Sequence, residues 1–121
     1  MDNSSAFIHQ KGLEASLKIL TRWKASKVQI SAILGLPYPI YQTQLSGQLS
    51  AEQAIRISHI INIHAALRIL FANDKNVYGF MTMENKSVFF GGECPLSLIE
   101  SGSLEALEKV ASHLNSLSLG N

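Results

Sequence analysis

The stretch Ser50-AEQAIRISHIINIHAALRIL-Phe71 decides the fold. Ser50 followed three residues later by Gln53 has the form of a capping box. The serine oxygen takes the amide hydrogen at the third helical position while the glutamine side chain reaches back to the cap. Glu52, Arg56 and His59 share a polar stripe over the first turns. From Ile60 onward, apolar residues (Ile60, Ile61, Ile63, Ala65, Ala66, Leu67, Ile69, Leu70, Phe71) cover most of the circumference. A helix apolar nearly all round is buried on more than one side, so Ala51 to Phe71 is expected to be either a central core helix or a dimer seam.

Working outward, the same logic recurs. Ser26 and Gln29 form another capping box, predicting a short helix to about Leu34, with Gly35 in the left-handed turn that follows. Pro37 or Pro39 can open a next helix, whose buried side would be Ile40, Tyr41 and Leu45 and whose end falls near Ser46-Gly47. Before these, Leu13, Leu17, Leu20 and Trp23 lie on one helical face, and residues 1 to 6 read as a frayed terminus. Beyond the central helix, Asn73-Asp74 is a break, and Asn76 to Met81 suits one or two helical turns. Asn85 to Gly92, carrying Val88, Phe89 and Phe90, reads as an irregular loop pinned by aromatics. Pro95 suits a first helical position, Gly102 a helix stop and Ser103 a cap. The last helix then carries Leu104, Leu107, Val110, Ala111, Leu114 and Leu117 on one stripe. The expectation is an all-α chain, with a helix-turn-helix module over residues 1–48 and a second helical domain over residues 49–121.

Hydrophobic residues make up 46% of the 121 residues and charged ones 16%. So few charges on a small domain imply apolar surface that meets another chain, either a copy of itself or a partner. The single cysteine, Cys94, excludes an internal disulfide and a cysteine-built zinc site, which suits a reducing cytoplasm. No run is long and apolar enough for a membrane span, and the first residues lack the pattern of a signal peptide. The net charge of +1 is unevenly spread. Up to Gln48, five bases (Lys11, Lys18, Arg22, Lys24, Lys27) face two acids (Asp2, Glu14), and beyond it five bases face seven acids. Only the first part has the sign to approach nucleic acid.

The common local signatures of hydrolases, zinc enzymes and phosphate loops are absent. His59 and His64 are five residues apart, about 140° around an ideal helix, so they do not share a metal. Neither His9 nor His113 has a ligand at metal spacing, and Cys94 has no identifiable histidine partner. No catalytic residue, metal or cofactor is expected. The one nucleic-acid signal is the helix-turn-helix pattern from Ser26 to Leu45, with Ile30, Leu34, Leu36, Ile40 and Tyr41 at packing positions. Its exposed residues would be Tyr38, Gln42, Thr43 and Gln44, able to read adenine or touch phosphate. Arg22, Lys24 and Lys27 would reach phosphates from the flank.

Read as an ordered series, the C-terminal half resembles the toxin-binding domain of the Xre/MbcA/ParS antitoxins. The matching residues are Leu49-Ser50, Arg56-Ile57, Ile61-Asn62-Ile63-His64, Ala66-Leu67, Leu70-Phe71, Val77-Tyr78-Gly79-Phe80-Met81, Asn85, Phe89-Phe90, Gly92, Pro95-Leu96, Ser101-Gly102, Leu107 and Val110. The preceding Ile33-Leu34-Gly35-Leu36 stands where such antitoxins place a helix-turn-helix. The resemblance implies a protein that sits beside a toxin, often a RES-type enzyme that consumes NAD, and neutralises it by occlusion. It also implies a homodimer that represses its own operon through operator DNA. Candidate toxin contacts are Phe80, Met81, Asn85, Phe89 and Phe90, together with the tail Ser118, Leu119 and Gly120. Where relatives carry tryptophan before Met81, this chain has Phe80. Where they often carry recognition-helix arginines, it has Thr43 and Gln44. The family's tail often reads Asp-x-x-Arg-Gly-Gly, and Asn115, Ser118, Leu119 and Gly120 stand there instead. Ser118 cannot supply a bidentate arginine clamp, so either the partner differs or the tail acts as a steric plug. The residue-level alternative is a dimeric helix-turn-helix repressor without a toxin partner.

Overall fold

The structure, a computed structural model, describes residues 3–40 and 49–120, with side chains from Ile8 onward. The described residues form six α-helices: α1 (Asn3–Arg22), α2 (Lys27–Leu34), α3 (Ala51–Leu70), α4 (Asp74–Gly79), α5 (Pro95–Ile99) and α6 (Leu104–Ser118). A 3-10 turn, Phe80–Thr82, continues α4. The chain is all-helical over these residues.

Local capping chemistry sets the boundaries. Ser26 Oγ accepts from the Gln29 amide while Gln29 Oε1 accepts from the Ser26 amide, and Ser50 and Gln53 do the same at the start of α3. Gly35 closes α2 in the left-handed region at φ 67°. Ser103 caps α6, and Pro95 opens α5. Two expectations change. Helix α1 begins at Asn3, because a helix nucleated by its packed middle propagates outward through residues that need no burial of their own. Neither Pro37 nor Pro39 opens a helix before Ile40, since a residue preceding proline is pushed out of the α region and both Leu36 and Tyr38 stand in that position. The remainder of that predicted helix, including Tyr41 and Leu45, lies outside the described residues.

Helix α3 is the centre. It packs most extensively on α6 and next on α1, with α2 against it as well. Its Ile57, Ile60, Ile63, Ala66 and Leu67 are buried among Leu13, Leu20 and Trp23 from α1, Ile33 and Leu34 from α2, and Leu107, Val110 and Leu114 from α6. One core thus runs through both halves of the chain. The apolar circumference is not wholly covered, however: Ile55 and Ile69 remain exposed, Ile69 by 68%.

Arg56 fixes how the halves meet. Only 8% exposed, it donates from Nη1 to the carbonyl of Ile33 at 3.1 Å and to that of Gly102 at 2.8 Å, while Nε faces Glu52 Oε2 at 3.3 Å. It therefore supplies a donor to the C-terminal end of α2 and another to the turn before α6, and it starts α3 and α6 from the same end of the molecule. Gly102 is needed at that turn: its φ is +87°, and a Cβ would stand 2.6 Å from the Ala32 carbonyl oxygen.

Arg56→Ala should lower the free energy of unfolding by about 2–4 kcal/mol, because the buried Ile33 carbonyl and the partly buried Gly102 carbonyl lose their donor. Arg56→Lys should recover part of it, one ammonium being able to meet the two carbonyls but not Glu52. Urea denaturation of the three proteins measures this, and an alanine variant as stable as the parent would show that the bridge is dispensable.

Candidate partner-binding site

The loop after the 3-10 turn is closed by backbone hydrogen bonds. The amide of Asn85 donates to the Glu93 carbonyl at 3.1 Å, the amide of Gly92 returns to the Asn85 carbonyl at 2.7 Å, and Gly91 donates to Ser87. Asn85 Oδ1 also accepts from the Ser87 amide at 3.0 Å, an Asx turn of the kind asparagine favours. Asn85 is thus the neck of the loop.

Aromatic rings bolt this loop to the helices. Phe71 at the end of α3 contacts Phe80 (5.7 Å between centroids), Phe80 contacts Phe90 edge-on (6.0 Å), and Phe90 contacts both Phe89 (4.9 Å) and His113 of α6 (5.5 Å). Phe89 then lies flat on His113 at 4.0 Å with the rings nearly parallel. Offset and edge-on pairs of this sort each add about 0.5–1.5 kcal/mol beyond burial. The ladder joins the C-terminal end of α3 to α6.

The sequence-level contact candidates separate here. Met81 and Phe90 are core residues, buried on the inner side of the ladder, and offer no surface to a partner. Phe80 is half-buried, and Asn85 spends its backbone on the loop neck. Phe89 is partly open, and Val88, beside it, is fully exposed at the tip of the loop. In the tail, Ser118 Oγ donates to the Asn115 carbonyl, the Leu119 amide caps α6, and Gly120 takes a left-handed turn at φ 82°. Leu119 itself is exposed, near the end of α6 where Ser118 shares a shallow groove with Ile69 of α3. Ile69 and Leu119 are thus exposed near the C-terminal ends of α3 and α6, while Phe89 lies along α6 beside Glu105 to His113.

Among the N-terminal candidates, Lys24 follows α1 in the left-handed region at φ 70°, Lys27 is the first residue of α2, and Tyr38 is exposed. Lys27 and Tyr38 line one groove of about 530 Å³ with Leu17 and Thr21. Gln42, Thr43 and Gln44 lie outside the described residues.

A cluster that sequence reading did not assemble sits between α1, α3 and α4. The Arg22 guanidinium lies over the Tyr78 ring, 3.9 Å from its centroid, and His64 stacks beside that ring at 5.2 Å. Arg68 pairs with Asp74 at 2.7 Å and reaches the Tyr78 hydroxyl. His64 Nδ1 is buried without a hydrogen-bond partner. Burial, then the nearby Arg68 and Arg22 guanidiniums, hold the His64 imidazole below its ordinary range, with Asp74 opposing. Spacing on α3 alone could not reveal this, since Arg22 and Tyr78 arrive from distant sequence. Among the described residues no cluster of three or more histidine, cysteine or acidic side chains is arranged to hold a metal, and no helix is long and apolar enough to cross a membrane.

Compared with known proteins, the chain is 30% identical over 106 residues to the uncharacterized protein y4oB of Sinorhizobium fredii (strain NBRC 101917 / NGR234), an alignment covering 85% of this chain and 81% of that protein. The chain belongs to the y4oB family. No protein-family model matches it, and no solved structure matches it significantly. The alignment is too long to be confined to either half of the chain.

His64 supplies a pH test. Its folded form binds a proton less readily than the unfolded chain, so protonation favours unfolding. The contribution is intact above the ordinary imidazole range and declines as pH falls below about 6.5. His64→Phe, which keeps the stack and cannot titrate, should lose less stability than the parent on acidification through that range. Equal losses in urea melts of the two proteins would assign the acid sensitivity elsewhere.

Proposed function

We propose that this chain is an antitoxin of a type II toxin–antitoxin pair, of the Xre/MbcA/ParS kind, which neutralises a RES-type, NAD-consuming toxin by binding and covering it. The observation that carries this reading is the loop between Asn85 and Glu93. Its neck is tied by hydrogen bonds and its base is bolted to α3 and α6 by aromatics, yet its tip presents Val88 and one edge of Phe89 to solvent. A rigid loop that displays apolar side chains binds with little loss of conformational entropy. The exposed Ile69 lies across Glu108 and Ser112, which line grooves with both it and Phe89, and the exposed Leu119 follows at the end of α6. On this reading Phe80, Met81 and Phe90 hold the loop in shape, while Phe89, Val88 and the tail meet the toxin.

A second reading, a dimeric helix-turn-helix repressor, is favoured by the capped helix α2 with Gly35 after it and by the exposed Lys24, Lys27 and Tyr38 around it. The exposed Ile55 and Ile69 on α3 would serve as its dimer contact. The two readings are compatible, as an antitoxin that also represses its operon.

Co-expression with the product of the neighbouring gene decides the first reading. The parent should co-purify with that protein and rescue growth. Val88→Asp, a change at a fully exposed site, should leave folding intact and weaken the complex roughly tenfold or more, as expected for a residue at an interface centre. A parent chain that neither binds the neighbouring product nor rescues growth would sink the proposal.

A further inference from the structure

We infer that the outward face of the C-terminal half of α1, between Tyr78 and Tyr38, is a sequence-independent binding surface for a phosphodiester backbone, centred on Arg22 and Lys18. It does not depend on toxin binding; it extends the flanking phosphate contacts of the helix-turn-helix reading to Lys18 and the Arg22–Tyr78 groove, and it stands apart from base reading, which would rest on Gln42, Thr43 and Gln44. Lys18 and Arg22 are four residues apart and project from the same side of α1. They line a groove of about 580 Å³ together with Thr21 and Tyr78. That groove shares Leu17 and Thr21 with the neighbouring one that holds Lys27 and Tyr38, so the two form a continuous track across the α1–α2 surface.

Arg22 is held by its face. Its guanidinium is laid on the Tyr78 ring, while among the described residues none of its N–H groups meets an acceptor and no carboxylate pairs with it. Among the described residues Lys18 and Lys27 likewise have no ion pair. An arginine fixed by its face and open along its N–H edges is pre-organised for the forked hydrogen bonds that a phosphate accepts. Among the described residues Glu14 is the one acid lining either groove, and its Oε1 accepts from Gln10. Local positive potential also shows at His64, whose protonation Arg68 and Arg22 both oppose while Asp74 favours it. Several cations along a track, unpaired among the described residues, fit a polyanion with repeated charges better than a single carboxylate. Phosphate contacts of this kind position a protein without reading bases.

The test is fluorescence anisotropy of the full chain with a labelled DNA duplex of random sequence, titrated at increasing salt, with poly-glutamate as the competing polyanion. Contacts from Lys18, Arg22 and Lys27 predict that log affinity falls with log salt at a slope of about −3. The double variant Lys18→Ala/Arg22→Ala should bind at least several-fold more weakly at low salt, with the slope shallower by about two. Both sites are exposed, and circular dichroism checks that the variant folds. In proton NMR titrations, the duplex should raise the pKa of His64 in the parent, by offsetting the two guanidiniums, and leave it unmoved in the double variant. No binding at low salt, unchanged affinity and slope in the variant, or an unmoved His64 in the DNA-bound parent would each overturn the proposal. Poly-glutamate binding as tightly as DNA would overturn it in favour of an acidic protein partner.

Discussion

The Arg56 guanidinium lies where three segments meet, and the rest of the arrangement depends on its being satisfied there. A buried cation is costly unless its hydrogens find acceptors, and these come from the Ile33 and Gly102 carbonyls and from Glu52. Those acceptors exist only if α2 ends against α3 and the turn before α6 comes down beside both. Gly35 and Gly102 make that approach possible: a Cβ on Gly35 would press on the Arg56 side chain at 3.2 Å, and one on Gly102 would strike the Ala32 carbonyl. The N-terminal helices and the C-terminal half are thereby one packed body, whatever each of them binds.

Once α3 and α6 start from the same clamp, both helices carry their C-terminal ends to the opposite pole. There the Phe71–Phe80–Phe90–His113 ladder spans the gap between them and holds the Asn85–Glu93 loop. The buried guanidinium stands at one end of α3, and Ile69 and Leu119 are exposed near the C-terminal ends of α3 and α6. The cations Lys18, Arg22 and Lys27 lie along α1 and the start of α2, with Arg22 laid on Tyr78 beside His64 and Arg68 of α3.

The helix starts were legible because a cap is a local device. Ser26 with Gln29, Ser50 with Gln53, Ser103, Pro95 and Gly35 act over three or four residues, so the sequence by itself determined where α2, α3, α5 and α6 begin and how α2 ends. It also determined that the loop carrying Phe89 and Phe90 is pinned by aromatics. What only the tertiary structure decided is which of neighbouring side chains is buried and which is displayed. Val88 and Phe90 are two residues apart, yet one faces solvent and the other the core, because His113 and Phe80 pack on only one side of the loop. Arg56, which reads as part of a polar stripe, is buried because carbonyls from far along the chain converge on it. Arg22, which reads as a flanking base, is fixed on Tyr78, brought to it from the far side of the central helix sequence. Caps depend on backbone geometry within one turn, whereas burial depends on which distant segments arrive, and no local spacing encodes that.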